Sequence, residues 1–255
     1  GPIMDKSLDQ RSLDIRLNIL RIVKDSGEGH LGSSFSIVEA LLGIYDWHIE
    51  NNDKFNISNF ILSKGHASYA YYAFLYQVDL FSINELDSVG KLGSKFYGHL
   101  PHIPNDERFI FGSGSLGHGM PFAAGLALGN KLSDNSERII CLAGDGEANE
   151  GTFWETLLLI NKFRDLKISL LIDCNSSSER AIPITKTLKK LDIFENISLI
   201  EVDGHSVNKI SDSIGRSNTE IILLNTIKGY PSQTMMGNPI WHHKTPNSEE
   251  FKKLN

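Results

Sequence analysis

Gly144-Asp145-Gly146-Glu147 follows a short apolar run, and Asn175 closes the next such run thirty positions after Asp145. In a parallel sheet neighbouring strand ends lie about 4.8 Å apart, so Asp145 and Asn175 can reach one point. A carboxylate, an amide oxygen and a nearby main-chain carbonyl suit a hard divalent cation such as Mg²⁺. One carboxylate is a weak site alone, and Mg²⁺ normally completes its shell with water and substrate phosphates. The constellation therefore predicts a phosphorylated ligand as well as a metal. The glycines flanking Asp145 let backbone N–H groups come close to that phosphate. The tripeptide alone reads more readily as a strand-to-helix turn with a capping aspartate. Asn175 at the next strand end reverses the balance.

In the loop-rich first half four histidines follow glycine: Gly29-His30, Gly65-His66, Gly98-His99 and Gly117-His118. A fifth, His242, follows Trp241. Imidazoles donate or accept near neutral pH, which suits hydroxyl-rich substrates and proton transfer. Their spacing is not that of a zinc site. Any one of them reads equally as a hydrogen-bonded structural residue; all of them together do not.

These residues need a scaffold. Residues 7–25 are expected to form an amphipathic helix, with Leu13, Ile15, Leu17, Ile19, Leu20, Ile22 and Val23 facing inward and Arg11, Asp14, Arg16, Asn18 and Arg21 opposite. Ser36 is expected to open a second helix running to about Ile49, and a third, rich in Tyr and Ala, should end near Val78. Phe60–Ser63 is a short apolar segment ending at Gly65-His66. Residues 93–119 are glycine-rich and aperiodic; a loop that long in a compact domain is usually functional. From residue 138 the pattern alternates: strands over 138–143, 168–173, 198–202 and 220–227, with helices over 152–163 and 206–215. Uniformly apolar strands alternating with helices indicate an α/β fold, a mostly parallel sheet with helices on both faces. Ligands of such sheets sit beyond the carboxyl ends of the strands. Asp145, Asn175, Gly204 and Lys228 all fall there.

The chain has 255 residues, 40% hydrophobic and 22% charged, and a net charge of −6. No apolar run approaches the ~18 residues of a membrane helix, and the acidic balance argues against nucleic acid. With two cysteines, Cys141 and Cys174, the composition argues against a disulfide scaffold and against a cysteine zinc site. The cytoplasm is the expected compartment. Gly1-Pro2-Ile3 before Met4 reads as a tag remnant, and 4–255 as one domain.

The motifs resemble the N-terminal, diphosphate-binding part of transketolases, thiamine-diphosphate enzymes. The matching stretches are SGEGHLGS (26–33), LSKGHA (62–67), YGH (97–99), GSGSLGHG (112–119), GDGEANEGTFWE (144–155), IDCN (172–175) and TIKG (226–229) followed by Trp241-His242. The resemblance implies a thiamine diphosphate-binding fold of the PP type. Asp145 and Asn175 resemble the ligands of Mg²⁺ (or Ca²⁺), with the Ser177 carbonyl as the third. Gly114, Ser115, Leu116, Gly117, Gly144, Gly146, Glu147 and Lys228 fall where the family holds the cofactor. His66 resembles the histidine beside the cofactor, and His30, His99 and His242 those facing the sugar. Glu150 matches an acidic residue joining paired active sites across the dimer interface.

Three departures stand out. The family's Gly-His-Pro-Gly is Gly29-His30-Leu31-Gly32. The glutamine of its GSLGQG is His118. Ser176-Ser177-Ser178 replaces its usual residues after the asparagine, at the position of the third metal ligand. The family's pyrimidine-binding and C-terminal domains have no counterpart after residue 245. The resemblance thus implies one subunit of a split transketolase, completed by a separate C-terminal-half subunit in an α₂β₂ heterotetramer and moving a two-carbon ketol unit between sugars. Rival readings are a thiamine-diphosphate subunit that works on 2-oxoacids or is of the deoxyxylulose-phosphate type, and a non-catalytic relative with the same fold.

Overall fold

In a computed structural model of the chain, residues 8–27, 30–175 and 184–232 are described, with Asn247, Glu249 and Lys252. Five strands form one sheet: β1 (Phe60–Leu62), β2 (Ile139–Gly144), β3 (Ile168–Cys174), β4 (Ser198–Asp203) and β5 (Thr219–Asn225). Their order is β1-β2-β3-β5-β4, and every pairing is parallel. All strands therefore end on the same edge. Gly144 lies opposite Asp173, and Cys174 opposite Asn225.

Successive side chains of a strand point to opposite faces, and two cores follow from this. Ile140, Leu142, Leu171, Ile222 and Leu224 pack with residues of α1 (Leu8–Ser26), α2 (Leu31–Phe35), α3 (Val38–Asn52), α4 (Ser68–Gln77), α5 (Ile83–Ser88) and α9 (Val207–Ser213). Ile139, Cys141, Ala143, Ile168, Leu170, Ile172, Ile221 and Leu223 pack with α6 (Gly119–Leu132), α7 (Gly151–Ile160) and the short α8 (Thr185–Leu188). The parallel α/β architecture expected from the strand pattern is the one observed. Both cysteines are buried free thiols. Among the described residues no helix is long and apolar enough to cross a membrane.

Periodicity does not announce α6. Its sequence, GMPFAAGLALGNKL, holds three glycines and a proline, residues of low helix propensity. Pro121 is tolerated because it sits in the first turn, where no intrahelical N–H bond is needed. Buried Met120, Ala123, Ala124 and Ala127 pack the helix against the sheet.

The structure corrects α1. Leu13 and Leu17 are 47% and 41% exposed, whereas Arg11 and Arg16 are 3% and 5% exposed. Arg11 donates to both carboxylate oxygens of Asp46 on α3, at 2.6 and 3.0 Å. Arg16 donates to Glu39 on the same helix at 2.9 Å and to the Phe35 carbonyl at 2.8 Å. Guanidinium groups enter a core when planar carboxylates and carbonyls wait there. Ser36 does not open a helix either: α3 begins at Val38, and the Ser36 hydroxyl donates to Asp173 at 2.6 Å.

Candidate active site

The glycine-rich segment before α6 is held by aromatic packing. Phe96 meets Phe81 at 4.8 Å and Phe109 at 5.4 Å between ring centroids, and Phe81 stacks on Tyr72 at 5.7 Å. The Tyr72 hydroxyl donates to the Tyr97 carbonyl at 3.0 Å, and Ser68 Oγ to the Gly98 carbonyl at 2.6 Å. Ser113 and Leu100 exchange two further bonds, at 2.8 and 3.0 Å. His99 is thereby fixed beside the exit of β1.

His30 stands immediately before α2, and His66 in a 3-10 turn, Gly65–Ala67, after β1. The His30 and His66 rings lie 4.6 Å apart, and the His66 and His99 rings 5.6 Å apart. Three imidazoles from three distant segments thus form one row. Gly65 packs closely against this cluster. A Cβ there would lie 3.1 Å from the Gly114 nitrogen and 3.2 Å from His99 Nδ1. Leu31, standing where the family has proline, is the first residue of α2 and is fully buried. Proline suits that position by its fixed φ; here leucine fills the core instead. His118 is exposed at the start of α6, outside the row. His242 and Ser177 lie outside the described residues.

Asp145 is 1% exposed and follows Gly144, whose register partner is Asp173 on β3. The register puts Asp145 and half-buried Asn175 just past adjacent strand ends. Burial pushes the Cys174 thiol up, and the charges of Asp145 and Asp173 push it further, as their proximity requires. Gly146 faces open space: a Cβ there meets nothing within 4 Å. Gly144 backs onto the Lys64 side chain.

Gly114 and Gly117 have φ of +137° and +79°, backbone that side chains with a Cβ rarely adopt. A Cβ on Gly117 would also sit 2.4 Å from Thr152 Oγ1, which donates to the Gly117 carbonyl at 2.9 Å. Ser115 and Leu116, between the two glycines, are exposed. Glu147, expected among the cofactor contacts, is turned inward instead. Its carboxylate accepts from the Gly144 N–H at 2.8 Å, the Gly117 N–H at 3.1 Å and the Ser63 hydroxyl. Burial pushes its carboxyl up, opposed by these bonds. Glu147 therefore serves the two glycine turns.

Lys228, three residues past β5, lays its stem on Gly32, with Cγ 3.0 Å from where a Gly32 Cβ would stand. Its segment is anchored by a network that the motifs do not reveal. The Ile227 N–H donates to His205 Nε2 at 2.9 Å, leaving His205 Nδ1 to bond Glu39 at 2.9 Å. Tyr230 stacks on His205 at 3.8 Å, and Arg16 Nε donates to the Tyr230 carbonyl at 3.2 Å. His205 also follows a glycine, so the glycine–histidine signal extends to it. Lys64 and Asp173, inconspicuous within LSKGHA and IDCN, form a buried ion pair.

The family model for the transketolase, thiamine diphosphate binding domain matches residues 9–255. An apulose-4-phosphate transketolase subunit of Actinobacillus succinogenes is 30% identical over 96% of this chain and 93% of its own length. A 6-deoxy-6-sulfo-D-fructose transketolase subunit of a Clostridium species is 28% identical over 93% and 91%. Human transketolase is 29% identical over 90% of this chain, which spans 38% of it. Among solved structures, Campylobacter jejuni transketolase superposes with a TM-score of 0.80 at 24% identity, over 96% of this chain and 41% of that one. With glycine turns, strand-end residues and clustered imidazoles arranged on this shared fold, the chain belongs to the transketolase family, matching its thiamine diphosphate-binding part.

Proposed function

We propose that this chain is the thiamine diphosphate-binding subunit of a two-subunit transketolase that moves a two-carbon ketol unit between sugars. The observation that carries this reading is the row His30–His66–His99 above the same sheet edge as Asp145 and Asn175. The residues fit the cofactor's charged end. Asp145 and Asn175 offer one carboxylate and one amide oxygen, an incomplete set that a diphosphate and Mg²⁺ (or Ca²⁺) complement. Open space over Gly146 and the glycine turn 114–117 leave room for phosphate oxygens. When bound, thiamine diphosphate supplies a nucleophilic thiazolium carbon and an electron sink. His30, His66 and His99 are placed to hold sugar hydroxyls and to take up or return their protons, neutral imidazoles being suited to both. His242 joins them in this proposal, and the Ser177 carbonyl joins the metal ligands.

A second subunit would cover the cofactor's pyrimidine end. Relatives of this length that are themselves named as transketolase subunits support this. So do exposed apolar side chains: Leu116 beside Gly117, Phe122 on α6, and Leu158 and Leu159 on α7, Leu158 at 66%. Closed symmetry makes an α₂β₂ assembly the expected form, in the cytoplasm. The names of all three of these relatives specify sugars carrying a phosphate or a sulfonate, so an anionic sugar is the proposed substrate class. The test is ketol transfer with thiamine diphosphate and Mg²⁺, by this chain alone and with a transketolase C-terminal-half subunit. Turnover only in the mixture is expected. Robust turnover by this chain alone overturns the two-subunit reading, and release of CO₂ from pyruvate overturns the sugar reading.

A further inference from the structure

One fully buried carboxylate joins four segments that bear site residues. Asp173 Oδ2 accepts from Lys64 Nζ, from Ser36 Oγ at 2.6 Å and from Asn175 Nδ2 at 3.4 Å; Oδ1 accepts from Thr226 Oγ1. Lys64 Nζ also donates to the Ser33 carbonyl at 3.1 Å and to Ser36 Oγ at 3.0 Å. An ammonium has three hydrogens, and these three bonds use them all. Lys64 is therefore committed to the protein interior and is not a cation held ready for a phosphate.

The offsets are short. His66 lies two residues past Lys64, Asn175 two past Asp173, and Lys228 two past Thr226; His30 lies three before Ser33. Past the strand ends the main chain also links two of these segments, through the Thr226 N–H and the Cys174 carbonyl at 3.3 Å. Stability alone is a poor reason for such a knot. Removing two charges from water costs about as much as their attraction returns, and apolar residues of equal volume often do as well or better. What an ion pair adds is direction: its hydrogen bonds admit one arrangement of their partners.

We propose that Asp173, through Lys64, Ser36, Thr226 and Asn175, is the positioning residue that sets the loops of His30, His66, Asn175 and Lys228 relative to one another. Its consequence for cofactor binding rests on the thiamine diphosphate reading above; its consequence for loop order does not.

The experiment compares the full chain with Asp173→Asn, with Asp173→Asn/Lys64→Met and with Thr226→Val. The double variant removes both charges together, so its melting temperature should return close to wild type. Segments 30–36, 64–67 and 226–232 should nonetheless exchange amide hydrogen faster, while 139–143 and 168–172 should not. Where wild type binds thiamine diphosphate with Mg²⁺, affinity should fall roughly 10–100-fold, as when groups that orient metal ligands are lost. Thr226→Val, which changes no charge, should loosen 226–232 alone and covers the case of a double variant that fails to fold. Wild-type exchange in all these segments in a folded variant overturns the proposal. Faster exchange in the variants, with a wild type that binds no thiamine diphosphate even when assembled with a transketolase C-terminal-half subunit, supports the positioning role and overturns the cofactor reading instead.

Discussion

The Glu147 carboxylate and the Gly117 N–H, thirty residues apart in sequence, are joined by a buried hydrogen bond of 3.1 Å. The same carboxylate holds the Gly144 N–H and the Ser63 hydroxyl, and Ser63 Oγ accepts the Gly119 N–H at 3.1 Å. The turn before α6 and the turn after β2 are thus one unit. Glu147→Ala should leave these donors unsatisfied and cost about 2–4 kcal/mol. Glu147→Gln should cost less, because one acceptor oxygen survives. Chemical denaturation of both variants checks the order; an alanine variant as stable as wild type contradicts it.

Asp145 stands just past the end of β2 and belongs to neither apolar core. Asp145→Ala should fold normally and lose Mg²⁺-dependent binding of thiamine diphosphate in the assembled enzyme. Calorimetric titration measures this, and unchanged affinity would remove Asp145 from the metal site.

His30 and His99 flank His66 in the row of rings. Alanine at either should lower turnover by ~10²–10⁴-fold, the usual range for a general acid or base, with much less effect on cofactor affinity. Steady-state kinetics beside calorimetry separates the two. Wild-type turnover would return both histidines to a structural role.

His48 is buried against Trp47 and Phe55, with Nδ1 bonded to the Ile44 carbonyl at 3.0 Å. Burial pushes its pKa below the ordinary value of about 6.5. The folded state then binds fewer protons than the unfolded chain, so stability rises with pH in that window. His48 contributes fully above pH ~6.5 and loses its contribution as pH falls from there towards its lowered folded value. The stability gap between wild type and His48→Gln should therefore narrow between pH 7.5 and 5.5, about one unit either side of that value. A gap independent of pH contradicts the assignment.

Arg11 and Asp46 form a buried bidentate pair between α1 and α3. Asp46→Ala strands the guanidinium and should cost about 3–5 kcal/mol. Leu13→Ser and Leu17→Ser, on the exposed side of the same helix, should each change stability by about 0.5 kcal/mol or less. Denaturation curves for the three variants test which face of α1 is buried.

The parallel strands, the strand-end positions of Asp145 and Asn175 and the clustering of glycine with histidine were legible in the amino-acid order. Each is a local matter: apolar runs specify strands, and glycine marks where backbone must turn or approach closely. Local order did not decide which way α1 faces. Arg11 and Arg16 are buried because Asp46 and Glu39, on a different helix, present carboxylates to them. Nor did it decide that Glu147 turns towards Ser63 and Gly117, that Ser36 bonds Asp173 rather than capping a helix, or that His205 holds the Ile227–Tyr230 segment. A polar side chain goes where its partners are, since burying it unpaired is costly. Those partners come from distant segments, 166 residues apart for His205 and Glu39 and 214 for Arg16 and the Tyr230 carbonyl, and only the folded sheet brings them within reach.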